Sequence, residues 1–151
     1  MPFSVAAQDT APQGVFFKPD GRKMYVIGST GDSVYEYDLS TAWTISTTST
    51  SAEKVFSVAA QDTAPTGVFF KPDGLKMYVA GQAGQDINEY TLRTAWNVST
   101  AYFPIFSVAA QETNTADVFF SNDGLKMYII GPEGDDVNEY TLSTAWDIST
   151  A

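Results

Sequence analysis

The stretch FSVAAQDTAPTGVFFKPDGLKMYVAG, residues 56–81, recurs as FSVAAQDTAPQGVFFKPDGRKMYVIG at 3–28 and as FSVAAQETNTADVFFSNDGLKMYIIG at 106–131. Each copy runs on to a version of STAWDIST, so the repeats span residues 3–47, 56–100 and 106–150. About 32 of 45 positions are identical between the first two copies and about 29 of 45 between the last two. A period near 50 residues made of short strands and turns is the mark of a propeller or an array, and residues 1–151 read as one repeat domain.

Within the second copy, Gly67-Val68-Phe69-Phe70 is a short apolar run ended by Lys71-Pro72-Asp73-Gly74. Pro presets its own φ and Gly accepts a positive one, so this is hairpin chemistry. Lys76–Gly81 is the returning strand, Gly81–Gln85 a polar loop, and Ile87–Leu92 a third strand. After the connection Arg93–Thr100, Phe106–Ala110 supplies the fourth strand, although it opens the next sequence copy. Strands spaced this way, with no helical period, predict an all-β fold. Runs such as Val68-Phe69-Phe70 lack in–out alternation, which asks for sheets covered on both faces, as blades are by neighbouring blades. The expected architecture is a β-propeller with three four-stranded blades per chain.

The segments Phe70-Lys71-Pro72-Asp73-Gly74-Leu75-Lys76-Met77-Tyr78-Val79 and Ile87-Asn88-Glu89-Tyr90-Thr91-Leu92 resemble blades of the YVTN/NHL-like β-propellers. The likeness covers almost the whole chain and departs at Ser121-Asn122-Asp123-Gly124, where Asn replaces Pro in the turn. The STAWDIST ending is similar to tandem propeller repeats of bacterial and phage proteins. The resemblance implies a fold and no particular activity. Lactonase members of the wider superfold rely on His, Arg and Glu, and this chain has no His.

Rings of this kind close with four to eight blades. Three blades alone leave open faces, which are sticky. Residues 3–7 read as a fourth strand whose own first three strands do not precede it, while the last repeat ends without a fourth strand. The N-terminal strand of one chain is therefore expected to complete the last blade of a partner. The partner is the chain itself, as a homodimer of six blades, with a homotrimer of nine as the alternative.

The composition narrows the function classes. Acidic residues number 18 against 8 basic ones, for a net charge of −10. That disfavours nucleic acid and anionic membrane surfaces. With no Cys and no His, thiolate chemistry, Ser–His relays and the commonest metal ligand are absent. No apolar run approaches 18 residues and no signal peptide is evident, so a soluble protein is expected, its compartment unknown. No cofactor and no metal are expected, and the sequence reads as no enzyme. The functional expectation is a non-catalytic, self-assembling scaffold or interaction module. The alternatives are a glycan-binding, lectin-like propeller and a lactonase- or hydrolase-like enzyme.

Candidate site residues fall into three repeated sets. Asp32, Asp86, Asp135 and Asp136 crowd the loops of one face, where Asp9, Asp62, Glu112 and Asp117 also lie. Such oxygen-rich loops suit Ca²⁺ or a polar ligand, but they lack a fixed ligand spacing and read first as solvated turns. Trp43, Trp96 and Trp146 occupy one position in each repeat, fit to stack on a sugar or, as the simpler reading, to anchor the outer strand. Glu36, Glu89 and Glu139 interrupt an apolar third strand. They are expected to pair across the sheet with Lys23, Lys76 and Lys126, because a buried carboxylate needs a partner.

Overall fold

The computed structural model of the chain describes residues 2–49, 51–102, 105–107 and 112–151. It is all-β apart from three single 3₁₀ turns, Ile45–Thr47, Val98–Thr100 and Ile148–Thr150. The first sheet has the order β1 (Pro12–Phe17), β2 (Lys23–Gly28), β3 (Ser33–Asp38), β4 (Lys54–Ser57). The second repeats it with β5 (Pro65–Phe70), β6 (Lys76–Gly81) and β7 (Asp86–Leu92), whose outer edge takes two short pieces, β8 (Ala101–Tyr102) and β9 (Ile105–Ser107). The third sheet holds β10 (Asp117–Phe120), β11 (Lys126–Gly131) and β12 (Asp136–Thr141). All pairings are antiparallel, and the three sheets are successive blades.

The hairpins follow from local chemistry. In the β5–β6 turn Gly74 has φ +72°, and Asp73 Oδ1 accepts the Leu75 N–H at 2.9 Å. The third blade makes the same turn without Pro, with Gly124 at φ +70° and Asp123 accepting from Leu125 at 3.0 Å. The Asp side chain and the left-handed Gly are enough to close it. Between the second and third strands, Asp32, Gln85 and Asp135 take the left-handed position, at φ 44°, 54° and 52°.

The core lies between blades. Tyr25, Ile27 and Val34 of the first blade pack on Val68, Phe70, Met77, Val79 and Trp96 of the second. Tyr78, Ala80 and Ile87 of the second pack in the same way on Val118, Phe120, Met127, Ile129 and Trp146 of the third. The middle strand β6, covered on both faces, is buried from Met77 to Gly81, as its unbroken apolar run requires. In β11, with a neighbour on one face, buried positions alternate with more open ones.

One expectation is corrected. The fourth strand of the first blade ends at Ser57, and Val58–Asp62 turns instead: the N–H groups of Gln61 and Asp62 both donate to Val58 C=O at 2.9 Å. The chain must swing there from the outside of one blade to the inside of the next, and a longer strand would overshoot. The corresponding residues 108–110 lie outside the described residues. Within the single chain residues 2–5 run without strand pairing and 6–8 turn, while the pairing expected of residues 3–7 is with a partner. Among the described residues no helix is long and apolar enough to cross a membrane.

Candidate functional site

The carboxylates of the third strands come first, because each would be costly if left alone. Glu36 is fully buried and accepts from Lys23 Nζ at 2.7 Å, Lys54 Nζ at 3.0 Å and the Val98 N–H of the next blade at 3.1 Å. Glu89 accepts from Lys76 Nζ at 2.5 Å and from the Ile148 N–H at 3.2 Å. Glu139 meets Lys126, but the pair is half-exposed and no N–H of a following blade reaches it among the described residues. Burial pulls the Lys23 ammonium towards neutrality, yet Asp38 and Glu36 outweigh it and hold its pKa above the usual lysine value. These pairs stitch second to third strand, and the buried ones also tie one blade to the next.

Trp43, Trp96 and Trp146 share one backbone conformation, with φ 61°, 63° and 64°, unusual for so bulky a residue. Each Trp N–H donates to the carbonyl of the turn glycine, Gly21, Gly74 or Gly124, at 2.9 Å. The indole lies where a glycine Cβ would be, so only glycine fits beneath it. The Trp carbonyl then accepts the hydroxyl of a tyrosine in the preceding blade, Tyr25 to Trp96 at 2.8 Å and Tyr78 to Trp146 at 2.7 Å. Burial and the nearby Glu36 or Glu89 push both phenols far above their ordinary pKa, so they stay donors. Trp96 and Trp146 are 9% and 8% exposed, stacked on Phe16 and Phe69 of the preceding blade, and present no face to a sugar. Trp43 is 59% exposed, touching Phe17 of its own blade.

The acidic loop residues do not converge. Asp9 accepts the N–H groups of Ala11 at 2.7 Å and Gly31 at 2.8 Å, and Asp62 those of Ala64 at 2.6 Å and Gly84 at 2.5 Å. These carboxylates are buried and tie loops together. Asp86 and Asp136 each accept from the Asn two residues on, Asn88 at 2.6 Å and Asn138 at 2.8 Å. Burial raises the Asp86 carboxyl above its usual range. Asp32 and Asp135 sit at turn corners. Among the described residues no three acidic side chains are grouped to hold a metal.

The first strands β1, β5 and β10 lie side by side, and a cavity of about 420 Å³ opens beside their N-terminal ends. Its rim carries Gln13, Ser29, Thr66, Gln82 and Asn114, neutral polar groups that sequence reasoning missed. The signal was faint: position 13, 66 and 116 reads Gln, Thr and Ala, the one first-strand site where all three copies differ. Asp117, where the other copies have Gly14 and Gly67, lines an adjoining hollow and the outer face of the third blade; the residue is exposed overall, and partial desolvation of its carboxyl raises its pKa.

Two further apolar hollows mark the outer faces of the end blades. One is lined by Phe3, Val5, Val15, Met24, Val26 and Ile45 of the first blade. The other is lined by Val118, Phe119, Tyr128, Ile129, Ile130 and Val137 of the third.

No family model and no curated protein matches the chain. Solved structures do. A "putative 6-phosphogluconolactonase" from Bacteroides uniformis superposes with TM-score 0.65 at 13% identity, over 87% of this chain and 37% of that one. The Cps50 (Swd1) β-propeller domain of Myceliophteria thermophila gives 0.59 at 10% identity, over 85% and 39%. Luciferin-regenerating enzyme gives 0.59 at 18% identity, over 93% and 42%. The chain thus spans about two fifths of each of these structures. The expectation that the chain is no enzyme is overturned by the two enzyme-named neighbours, since the shared fold is one on which enzymes are built. At these identities the likeness carries the β-propeller fold and no reaction, and the YVTN/NHL resemblance stands at the level of that fold.

Proposed function

We propose that this chain is a self-assembling propeller module, whose two outer blade faces mate so that two copies close one six-bladed ring. One observation carries the reading. The apolar side chains left exposed on the end blades occupy the repeat positions that are buried at both internal interfaces. On the third blade Phe119, Ile130 and Val137 are 59%, 48% and 61% exposed. Their counterparts Ile27, Val34, Ala80 and Ile87 are fully covered, and Phe16 and Phe69 stack on the next blade's Trp. On the first blade Val15 and Trp43 are exposed, whereas Val68, Val118, Trp96 and Trp146 are covered. Each face lacks what the other presents, so the contact is head-to-tail and a ring is its closed form.

Mated in the internal register, Phe119 faces Trp43 of the second copy, the Tyr128 hydroxyl meets its Trp43 carbonyl, and Glu139 takes its Ile45 N–H. Native mass spectrometry tests the reading. One chain weighs 16.4 kDa, so two copies give about 33 kDa. Ile130→Glu, which places a charge on the face without touching a buried position, is expected to return the mass to that of one chain with the β-sheet circular dichroism intact. A wild-type chain that stays monomeric at tens of micromolar overturns the reading, and about 49 kDa replaces six blades by nine.

A further inference from the structure

The closing faces are apolar, but each blade boundary inside the chain has a second component. The outer strand of a blade continues into the next blade, so the backbone ladder bridges the boundary. In the first blade β4 pairs β3 with Ser33 opposite Ser57 and Val34 opposite Phe56. In the second, β9 pairs β7 with Asp86 opposite Ser107 and Ile87 opposite Phe106. In the third, β12 carries no outer strand among the described residues. Its edge is a row of backbone donors and acceptors that another strand can take up.

The segment that fits this edge is already in place at the other end of the chain. Phe3 meets the Tyr37 ring edge-on at 5.5 Å, as Phe56 meets Tyr90 at 5.3 Å. Tyr37 donates to Gln8 Oε1 at 3.3 Å, as Tyr90 donates to Gln61 Oε1 at 3.4 Å. Asp9 binds its loop as Asp62 binds the next one. Residues 3–9 therefore sit on the first blade as residues 56–62 sit on the second. The difference is that residues 54–57 have β3 to pair with and residues 2–4 have nothing.

We infer that β12 of one copy is completed by residues 2–4 of the second copy, in the register Asp136 opposite Ser4 and Val137 opposite Phe3. The ring would then be held at each closing boundary by a strand exchanged between chains, as well as by the apolar faces. This rests on the proposed ring closure, because mating the faces in the internal register is what brings this segment alongside this edge. The occupant is a second copy of the chain: its segment carries the Phe-Ser pair that fills the corresponding places on β3 and β7, and its anchoring on the first blade is complete without it.

The chain has no cysteine, so the register can be read by cross-linking. Directly opposed residues in antiparallel strands have Cα atoms about 4.5–5.5 Å apart, within disulfide reach. The double variant Ser4→Cys/Asp136→Cys, oxidised at low protein concentration, is expected to give a covalent dimer on non-reducing gels. Ser4→Cys/Asn138→Cys, two residues out of register on the same strand face, is expected to cross-link at least tenfold less. If native mass shows a dimer and neither variant cross-links, the faces close the ring without strand exchange, and the inference is overturned while the assembly reading stands. Preferential cross-linking of the 4/138 pair overturns the register and with it the inference. A monomer by native mass overturns the assembly reading and the exchange together. Ser4 and Asp136 are exposed and Asn138 is half-buried, and circular dichroism confirms that each variant is folded before oxidation.

Discussion

Trp43, Trp96 and Trp146 have one backbone geometry and two environments, which makes them an internal control. Trp96 is sealed beneath the preceding blade, so Trp96→Ala is expected to cost about 3–5 kcal/mol of unfolding free energy in urea titrations. Trp43→Ala, measured in the monomeric Ile130→Glu background, is expected to cost about 1 kcal/mol or less, because its indole covers little beyond Gly21 and Phe17. Equal losses at both positions would mean that the indole matters to its own blade and not to the boundary. Asp117 supports a second test. Its folded pKa lies above the ordinary 3.8, so the folded state binds the proton more tightly, and stability falls as pH rises from 3.8 through the folded value. Above that window the penalty is complete. Asp117→Asn is therefore expected to raise the melting temperature at pH 7 and to leave it unchanged near pH 3. An equal change at both values would place the effect in packing. The Lys–Glu partners were legible from the sequence because an isolated carboxylate in an apolar strand demands a cation. The Trp carbonyl as the acceptor for Tyr25 and Tyr78 was not, since a main-chain atom leaves no trace in residue identity.

Strand boundaries were legible wherever side-chain chemistry fixes them. Lys76–Gly81 is bounded by a left-handed glycine turn on one side and a polar loop on the other, and the observed strand has those limits. The outer strand of the first blade stops short of the run FSVAA that suggests it, because Val58 turns inward to the next blade's core and Ala59 and Ala60 form the turn. β6 lies between two blades and β2 is covered on its outer side by Phe3, Val5 and Ile45, so both are buried along their length, whereas β11 is open on one face. Hydrogen exchange on the Ile130→Glu monomer should show this: the amides of β6, covered on both faces, are expected to exchange slower than those of β11, by at least tenfold. Equal rates would indicate that the blades open together as one unit.

At the scale of the molecule, the proposed closure is favoured because three blades with two open apolar end faces gain most by forming a ring. Joining two copies through one boundary costs translational and rotational freedom of about 4–15 kcal/mol and hides one set of apolar side chains. Closing the second boundary hides another set at little further entropic cost, because the ends are already held together. This argues for the closed mass of about 33 kDa over longer open arrays, twice the 16.4 kDa chain. The tyrosine-to-tryptophan-carbonyl bond adds something different in kind. At both boundaries the acceptor is a main-chain atom, so for this bond the preceding blade needs only to keep its tyrosine. A blade can then be duplicated, deleted or moved without a matching change in its neighbour, which is how a chain can grow by copying itself and remain foldable at each step.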